Sequence, residues 1–307
     1  MNLGVRLGDL ELKTPLIGAS GLFGYGGEYS GLVDYSAFGA IVAKTITLGP
    51  REGNPPPRIV DTSDGVINSI GLENVGCEAF LRDKLPGVNL PSRLFASIGG
   101  ETIDDYKRLA GMLSGKPAID AIEVNISCPN VEKGGAAFGR DAGTTRDVIR
   151  AVCAETGLPV LAKIPPVMPG IEEVAQAACE AGAHALIVAN TFPAMEIDID
   201  TERPRLGGIS GGLSGGAIRP LSVFLVWKVA GCVSVPVIAS GGIECAEDAI
   251  KYILAGATAF EIGSVMLKDL EAPARIMSGL KAFMKAKGYQ SLDEFRGKAR
   301  DLMRGGC

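Results

Sequence analysis

The chain has 307 residues, 47% of them hydrophobic, with a net charge of −5 and no run of Lys and Arg. That is enough apolar material for one sizeable core, and the missing basic face excludes nucleic acid as the main partner. Seven widely spaced cysteines with no Cys-x-x-Cys pair, no charged-then-apolar leader and no apolar stretch of the ~20 residues a membrane helix needs lead us to expect a cytoplasmic chain without a membrane span, a disulfide scaffold or a cysteine-held metal.

In chain order, a small hairpin is expected at Val5–Leu12, followed by a first strand at Leu16–Ala19 and a helix at Tyr29–Ser36. A strand at Ile41–Ile46 leads into a long connection, Thr47–Asn68, whose three prolines (Pro55, Pro56 and Pro57) suggest a defined loop. A helix at Glu73–Leu85 follows. The alternation then becomes regular: strand Leu94–Ile98, helix Ile103–Leu113, strand Ala121–Ile126, helix Thr145–Glu155, strand Pro159–Ile164, helix Glu172–Ala181 and strand Ala185–Ala189. A second long, Gly-rich connection, 190–220, has room for an extra hairpin around Glu196–Asp200 and Arg205–Ile209. Helix Leu221–Val229, strand Val235–Ala239, helix Ala246–Ala255, strand Ala259–Ile262 and helix Ala272–Lys285 complete the pattern. Gly182 and Gly256 stand just past two of the helices, where a left-handed cap is wanted. Eight strands alternating with eight helices is the count of an α/β (β/α)8 TIM barrel, read here as a single domain over residues 1–307.

A barrel places its chemistry at the C-terminal ends of its strands. There stand Ser20, Lys44 and Thr45, Asn125 and Cys128, Lys163, Ala189 to Thr191, Gly241 and Gly242, and Gly263 and Ser264. The glycine pairs after strands seven and eight suit a phosphate, since bare backbone N–H groups can approach the anion; Ser214 and Gly215 could add donors. Cys128 lies in Val124-Asn125-Ile126-Ser127-Cys128-Pro129-Asn130, a thiol between two neutral amides. That setting suits a base acting on a polar planar substrate better than a metal ligand. Lys163 is either half of an ion pair with Glu123 or a cation complementing an anionic cofactor such as the pyrimidine edge of a reduced flavin. His184 is expected in a surface or packing role, and the cysteines at 153, 179, 232 and 245 are expected to act as small buried hydrophobes.

Taken together, Asn125-Ile-Ser-Cys-Pro-Asn130, Asn68-Ser-Ile-Gly-Leu-Glu-Asn74, Gly211-Gly-Leu-Ser-Gly215 and the two glycine turns resemble the dihydroorotate dehydrogenases, over about residues 1–285. Cysteine at 128 is similar to class 1, and Ile197-Asp-Ile-Asp-Thr201 resembles subclass 1B, the NAD-linked catalytic subunits. The resemblance implies FMN held by Ser20, Lys44, Thr45, Asn125, Lys163, Ala189, Gly215, Gly241, Gly242, Gly263 and Ser264. It implies dihydroorotate held by Lys44, Asn68, Ser69, Ile70, Gly71, Leu72, Asn125, Asn130, Asn190 and Thr191. Cys128 as thiolate would take a proton from carbon 5 while hydride leaves carbon 6 for the flavin, giving orotate. It further implies an electron-transfer subunit carrying FAD and a 2Fe–2S cluster, in a heterotetramer of two catalytic and two electron-transfer subunits. Two departures stand out: Ser97 where the family usually has Asn, and Ile164-Pro165-Pro166-Val167 where it usually has Ser or Thr and then Pro-Asn after Lys163. The competing readings are a flavin barrel acting on another pyrimidine, as in dihydropyrimidine dehydrogenase, and a flavin-binding subunit without turnover. The acidic balance disfavours a tRNA-modifying flavin barrel.

Overall fold

The computed structural model describes residues 1–126 and 139–301. Eight parallel strands close into a barrel in sequence order: β1 (Leu16–Gly18), β2 (Ala40–Val42), β3 (Arg93–Ile98), β4 (Ala121–Asn125), β5 (Val160–Ile164), β6 (Ala185–Val188), β7 (Val237–Ser240) and β8 (Ala259–Ile262), with β8 pairing back onto β1. These runs are rich in Val, Ile and Ala and almost wholly buried, as expected of strands covered on both faces. The outer layer includes α1 (Ile103–Leu113), α2 (Ala142–Glu155), α3 (Ile171–Glu180), α4 (Arg219–Val229), α5 (Ala246–Ala255) and α6 (Ala272–Lys287). Thr102 and Asp105 form a reciprocal capping box at the start of α1, and Asp141 caps α2 by accepting from Thr144 N–H at 2.7 Å. Gly182 (φ +104°) and Gly256 (φ +120°) occupy the helix-end positions expected of them. The hairpin beneath the barrel pairs Val5–Leu7 with Leu10–Leu12. Among the described residues no helix is long and apolar enough to cross a membrane.

The first half of the chain departs from expectation. Tyr29–Ser36 is not a helix. Gly31 adopts φ +86°, and only a 3₁₀ turn, Tyr35–Ala37, survives, capped by the Asp34 carboxylate accepting from Ser36 N–H at 2.8 Å. Its aromatic residues instead join Phe23 and Phe38 in a ring cluster. Helical structure begins at Cys77, not Glu73, because the Asn74 side chain takes Thr47 N–H and Gly76 N–H and turns the chain. It continues as a π-helical turn over Phe80–Lys84.

The long connections also hold more order than loops. Ile59–Thr62, Gly65–Asn68, Gly211–Ser214 and Phe192–Ala194 form a four-stranded antiparallel sheet over the barrel mouth. The extra hairpin pairs Ile197–Asp198 with Arg203–Pro204; Arg205–Ile209 is not a strand. The cysteine expectation needs correction as well: Cys153, Cys179 and Cys232 are half-buried and Cys245 is exposed. His184 is exposed, and its Nδ1 accepts from Val160 N–H at 3.1 Å.

Candidate active site

A cavity of about 310 Å³ opens at the C-terminal ends of the barrel strands, roofed by the antiparallel sheet. Of the expected cofactor residues, Ser20, Lys44, Thr45, Asn125, Lys163, Ala189, Gly241, Gly242, Gly263 and Ser264 line it. Of the expected substrate residues, Asn68, Ile70, Gly71, Leu72, Asn190 and Thr191 do so too. Gly215 stands behind the lining, where its carbonyl lies 2.6 Å from the position a Gly242 Cβ would take. Ser69 is fully buried, and its hydroxyl accepts from Asn54 Nδ2 at 2.8 Å instead of facing the cavity. Cys128 and Asn130 lie outside the described residues. The strand leading to them is fixed: Tyr106 on α1, itself fully buried, donates its hydroxyl to the Asn125 carbonyl at 2.9 Å. Sequence reasoning missed Leu22, Ile59, Val66, Glu73, Ile218 and Leu267 in the lining. All but Glu73, which stands where a helix start was expected, are apolar residues on loops and on the sheet, and nothing in their residue types marks them.

The glycine turn after β7 is built for close approach. Gly241 (φ +126°) and Gly242 (φ +66°) adopt backbone conformations that side chains resist. A Cβ on Gly241 would meet Ser222 Oγ at 2.4 Å, so the lining here is necessarily bare backbone. The turn is clamped from outside: Arg219 donates to the Gly242 carbonyl at 3.1 Å and to Asp248 at 3.0 Å, and Tyr252 donates to the Gly241 carbonyl.

The two lysines differ in kind. Lys163 is buried and paired with Glu261 at 2.9 Å and Glu123 at 3.4 Å. The structural pairing is therefore present, with a second carboxylate that the sequence did not suggest, while Lys163 still lines the cavity. Burial opposes its charge, but the two carboxylates more than reverse that and raise its pKa. Burial pushes Glu123 up to about 7 against the pull of Lys163. Lys44 is lowered by burial, and Glu73 acts on it through space in the opposite direction. A connected row of hydroxyls links these regions: Ser97 donates to Glu123 Oε1 at 2.7 Å, Thr45 lies 2.9 Å from Ser97, and Ser20 lies 3.3 Å from Thr45, which also accepts from Asn125 Nδ2 at 3.4 Å. The first sequence departure is thereby placed: Ser97 serves the barrel interior rather than the cavity wall.

A larger groove, about 1220 Å³, lies at the opposite end of the barrel between the hairpin and the strand starts. It lacks the paired glycine turn, the cluster of three amides and the buried lysine, so size alone is a poor guide to chemistry.

A family model for dihydroorotate dehydrogenase matches residues 2–284. The chain is 47% identical over 296 residues to the dihydroorotate dehydrogenase B (NAD(+)) catalytic subunit of Desulforudis audaxviator, covering 96% of each. It is 44% identical over 298 residues to the catalytic subunit of the same name from Trichlorobacter lovleyi, covering 96% of this chain and 97% of the relative. The match runs through every barrel strand and the turns that wall the cavity, and on that ground the protein belongs to the dihydroorotate dehydrogenase family of oxidoreductases.

Proposed function

We propose that the chain is the catalytic subunit of an NAD-linked dihydroorotate dehydrogenase in pyrimidine biosynthesis, oxidising dihydroorotate to orotate. The observation that carries this reading is the convergence of Lys44, Asn68, Asn125 and Asn190 with two glycine turns in one cavity at the strand ends. A clamped, side-chain-free turn fits the phosphate of FMN, and the hydroxyl and amide lining beside it fits the flavin ring. Gly241, Gly242, Gly263 and Ser264 would hold the phosphate, and Ser20, Thr45, Asn125, Ala189 and Lys163 the ring. FMN bound there supplies the acceptor for the hydride of carbon 6.

The protein's own share is binding, orientation and one proton transfer. Lys44 is the cation suited to the substrate carboxylate, because among the described residues no carboxylate meets it at contact distance as Glu123 and Glu261 meet Lys163. The amides of Asn68, Asn125 and Asn190 suit a ring with two carbonyls and two N–H groups. Cys128, as thiolate, takes the proton from carbon 5; a free thiol has a pKa of ~8.5, so turnover rises with pH until it ionises. Electrons then leave through a second subunit carrying FAD and a 2Fe–2S cluster, in a heterotetramer of two catalytic and two electron-transfer subunits in the cytoplasm. This chain has no nicotinamide fingerprint and no cysteine spacing for a cluster.

Competition binding tests the substrate. Orotate is expected to bind at least about tenfold more tightly than uracil, which lacks the carboxylate. Equal affinity would favour a dihydropyrimidine dehydrogenase-like substrate. The isolated chain is expected to reduce NAD slowly, and rapid NAD reduction would remove the need for the second subunit.

A further inference from the structure

At the floor of the cavity, inside the barrel, two carboxylates share one ammonium. Glu123 on β4 and Glu261 on β8 have fully buried side chains, and Lys163 on β5 between them is 7% exposed. With all three ionised the cluster sums to −1, an uncompensated charge that a protein interior resists strongly. The second oxygen of Glu261, Oε1, is buried and meets no donor among the described residues. The cluster is therefore one positive charge short, and burial already raises the proton affinity of Glu123 into the neutral range.

Other groups facing the cluster can be named element by element. Ser97 on β3 donates to Glu123. β7 and β1, which flank β8, place Ser240 and Ile17 beside Glu261 in register. Farther out, Lys44 and Glu73 line the same cavity. The only cation in contact with the carboxylates, among the described residues, is Lys163. Ser97, Thr45 and Ser20 form a hydroxyl row from Glu123 to the cavity wall, with the Ser20 hydroxyl also donating to the Ala43 carbonyl at 3.1 Å. Each hydroxyl can accept a proton on one side and release one on the other, so a proton can pass inward once Ser20 turns from the Ala43 carbonyl to Thr45, and the hydroxyls then rotate back for the next transfer.

We propose that the Glu123–Glu261 pair, bridged by Lys163, is a one-proton store that fills when the flavin in the cavity above it is reduced and empties when it is reoxidised, with Ser97, Thr45 and Ser20 as the path. This rests on the flavin reading above. Reduction brings negative charge to the cavity beside Lys163, and a nearby negative charge strengthens an acid's hold on its proton. One carboxylate takes up a proton, one O–H bond forms, and no electron moves within the cluster. The store keeps the charge of the site nearly constant through the cycle.

The test uses the FMN-loaded chain reduced with dithionite, so that it does not depend on the substrate. Reduced-minus-oxidised infrared spectra are expected to show a new carboxylic-acid C=O band that shifts in D₂O and is lost in Glu261→Gln, where one ammonium faces one carboxylate. The flavin midpoint should fall with pH by one proton more in the native chain than in Glu261→Gln near neutrality. That is a tenfold difference in the equilibrium per pH unit, or about 30 mV for a two-electron couple. Should Glu261→Gln not fold, the native infrared spectrum decides alone. A native chain with no such band, or a band and slope unchanged in Glu261→Gln, overturns the proposal. A chain that shows the carboxylic-acid band with dithionite but whose flavin is not bleached by dihydroorotate would instead overturn the substrate reading and leave the store standing.

Discussion

The two ends of the barrel carry cavities of opposite character. The groove at the strand starts holds about 1220 Å³ and the cavity at the strand ends about 310 Å³. The groove is framed by the hairpin and by Arg93 and Arg296, whose charges are met by Asp120 and Asp293 at 2.8 Å. The cavity is framed by bare glycine backbone, three amides and Lys44, on which Glu73 acts from a distance. Convergent polar side chains over bare backbone at a confined place, not volume, separate a site for chemistry from a gap between elements.

The largest test of that contrast is Cys128→Ala. Removing a general base is expected to lower kcat by at least ~10²-fold while the protein remains yellow with FMN. Steady-state kinetics beside an absorbance spectrum check it, and full turnover in the variant would remove the thiol from the chemistry.

Next in size is the pH dependence of stability set by Glu123. Its carboxyl is raised from 4.5 to about 7 in the folded chain, so the folded state binds more protons than the unfolded state between those values. The resulting stabilisation is fully present below about 4.5 and is lost as pH rises through about 7. Urea unfolding of the flavin-free chain at several pH values should show the decline, on the order of a few kcal/mol, and Glu123→Gln should flatten it. A native curve that is already flat would mean the buried cluster does not titrate there.

Lys44→Met should weaken orotate by about 10–100-fold, the worth of a hydrogen bond to a charged group, and leave uracil nearly unchanged. Titration calorimetry of both ligands measures it, and equal losses would move the carboxylate contact elsewhere. At the opposite end, Arg296→Ala should change kcat/KM by less than about twofold, as for a surface substitution away from the site. A larger loss of activity at unchanged stability would make the groove functional after all.

The barrel was legible in the sequence because its strands are short β-branched and alanine runs, such as Val160–Ile164 and Ala185–Val188, separated by helices with recognisable caps and end glycines. The sheet over the mouth was not. Its pairing joins residues as far apart as Asn68 and Gly212, and its strands carry the glycines and prolines that ordinarily mark loops. The Tyr29–Ser36 segment misled because aromatic residues at near-helical spacing also serve a ring cluster. The strand-end positions announced most of the cavity, since a barrel dictates where they point. The buried position of the Ser69 hydroxyl was not legible, because a hydroxyl in a binding motif gives no sign of which neighbour it bonds. Glu261 gave no signal at all: a lone Glu in Phe-Glu-Ile shows its role only once barrel closure brings it to Lys163.

The most direct measurement is an anaerobic titration of the FMN-loaded chain with dihydroorotate, followed by flavin absorbance. The account predicts loss of the visible flavin bands as dihydroorotate approaches one equivalent per flavin, with orotate recovered from the mixture. Bands that persist with excess dihydroorotate, in a protein whose flavin dithionite still bleaches, would contradict it.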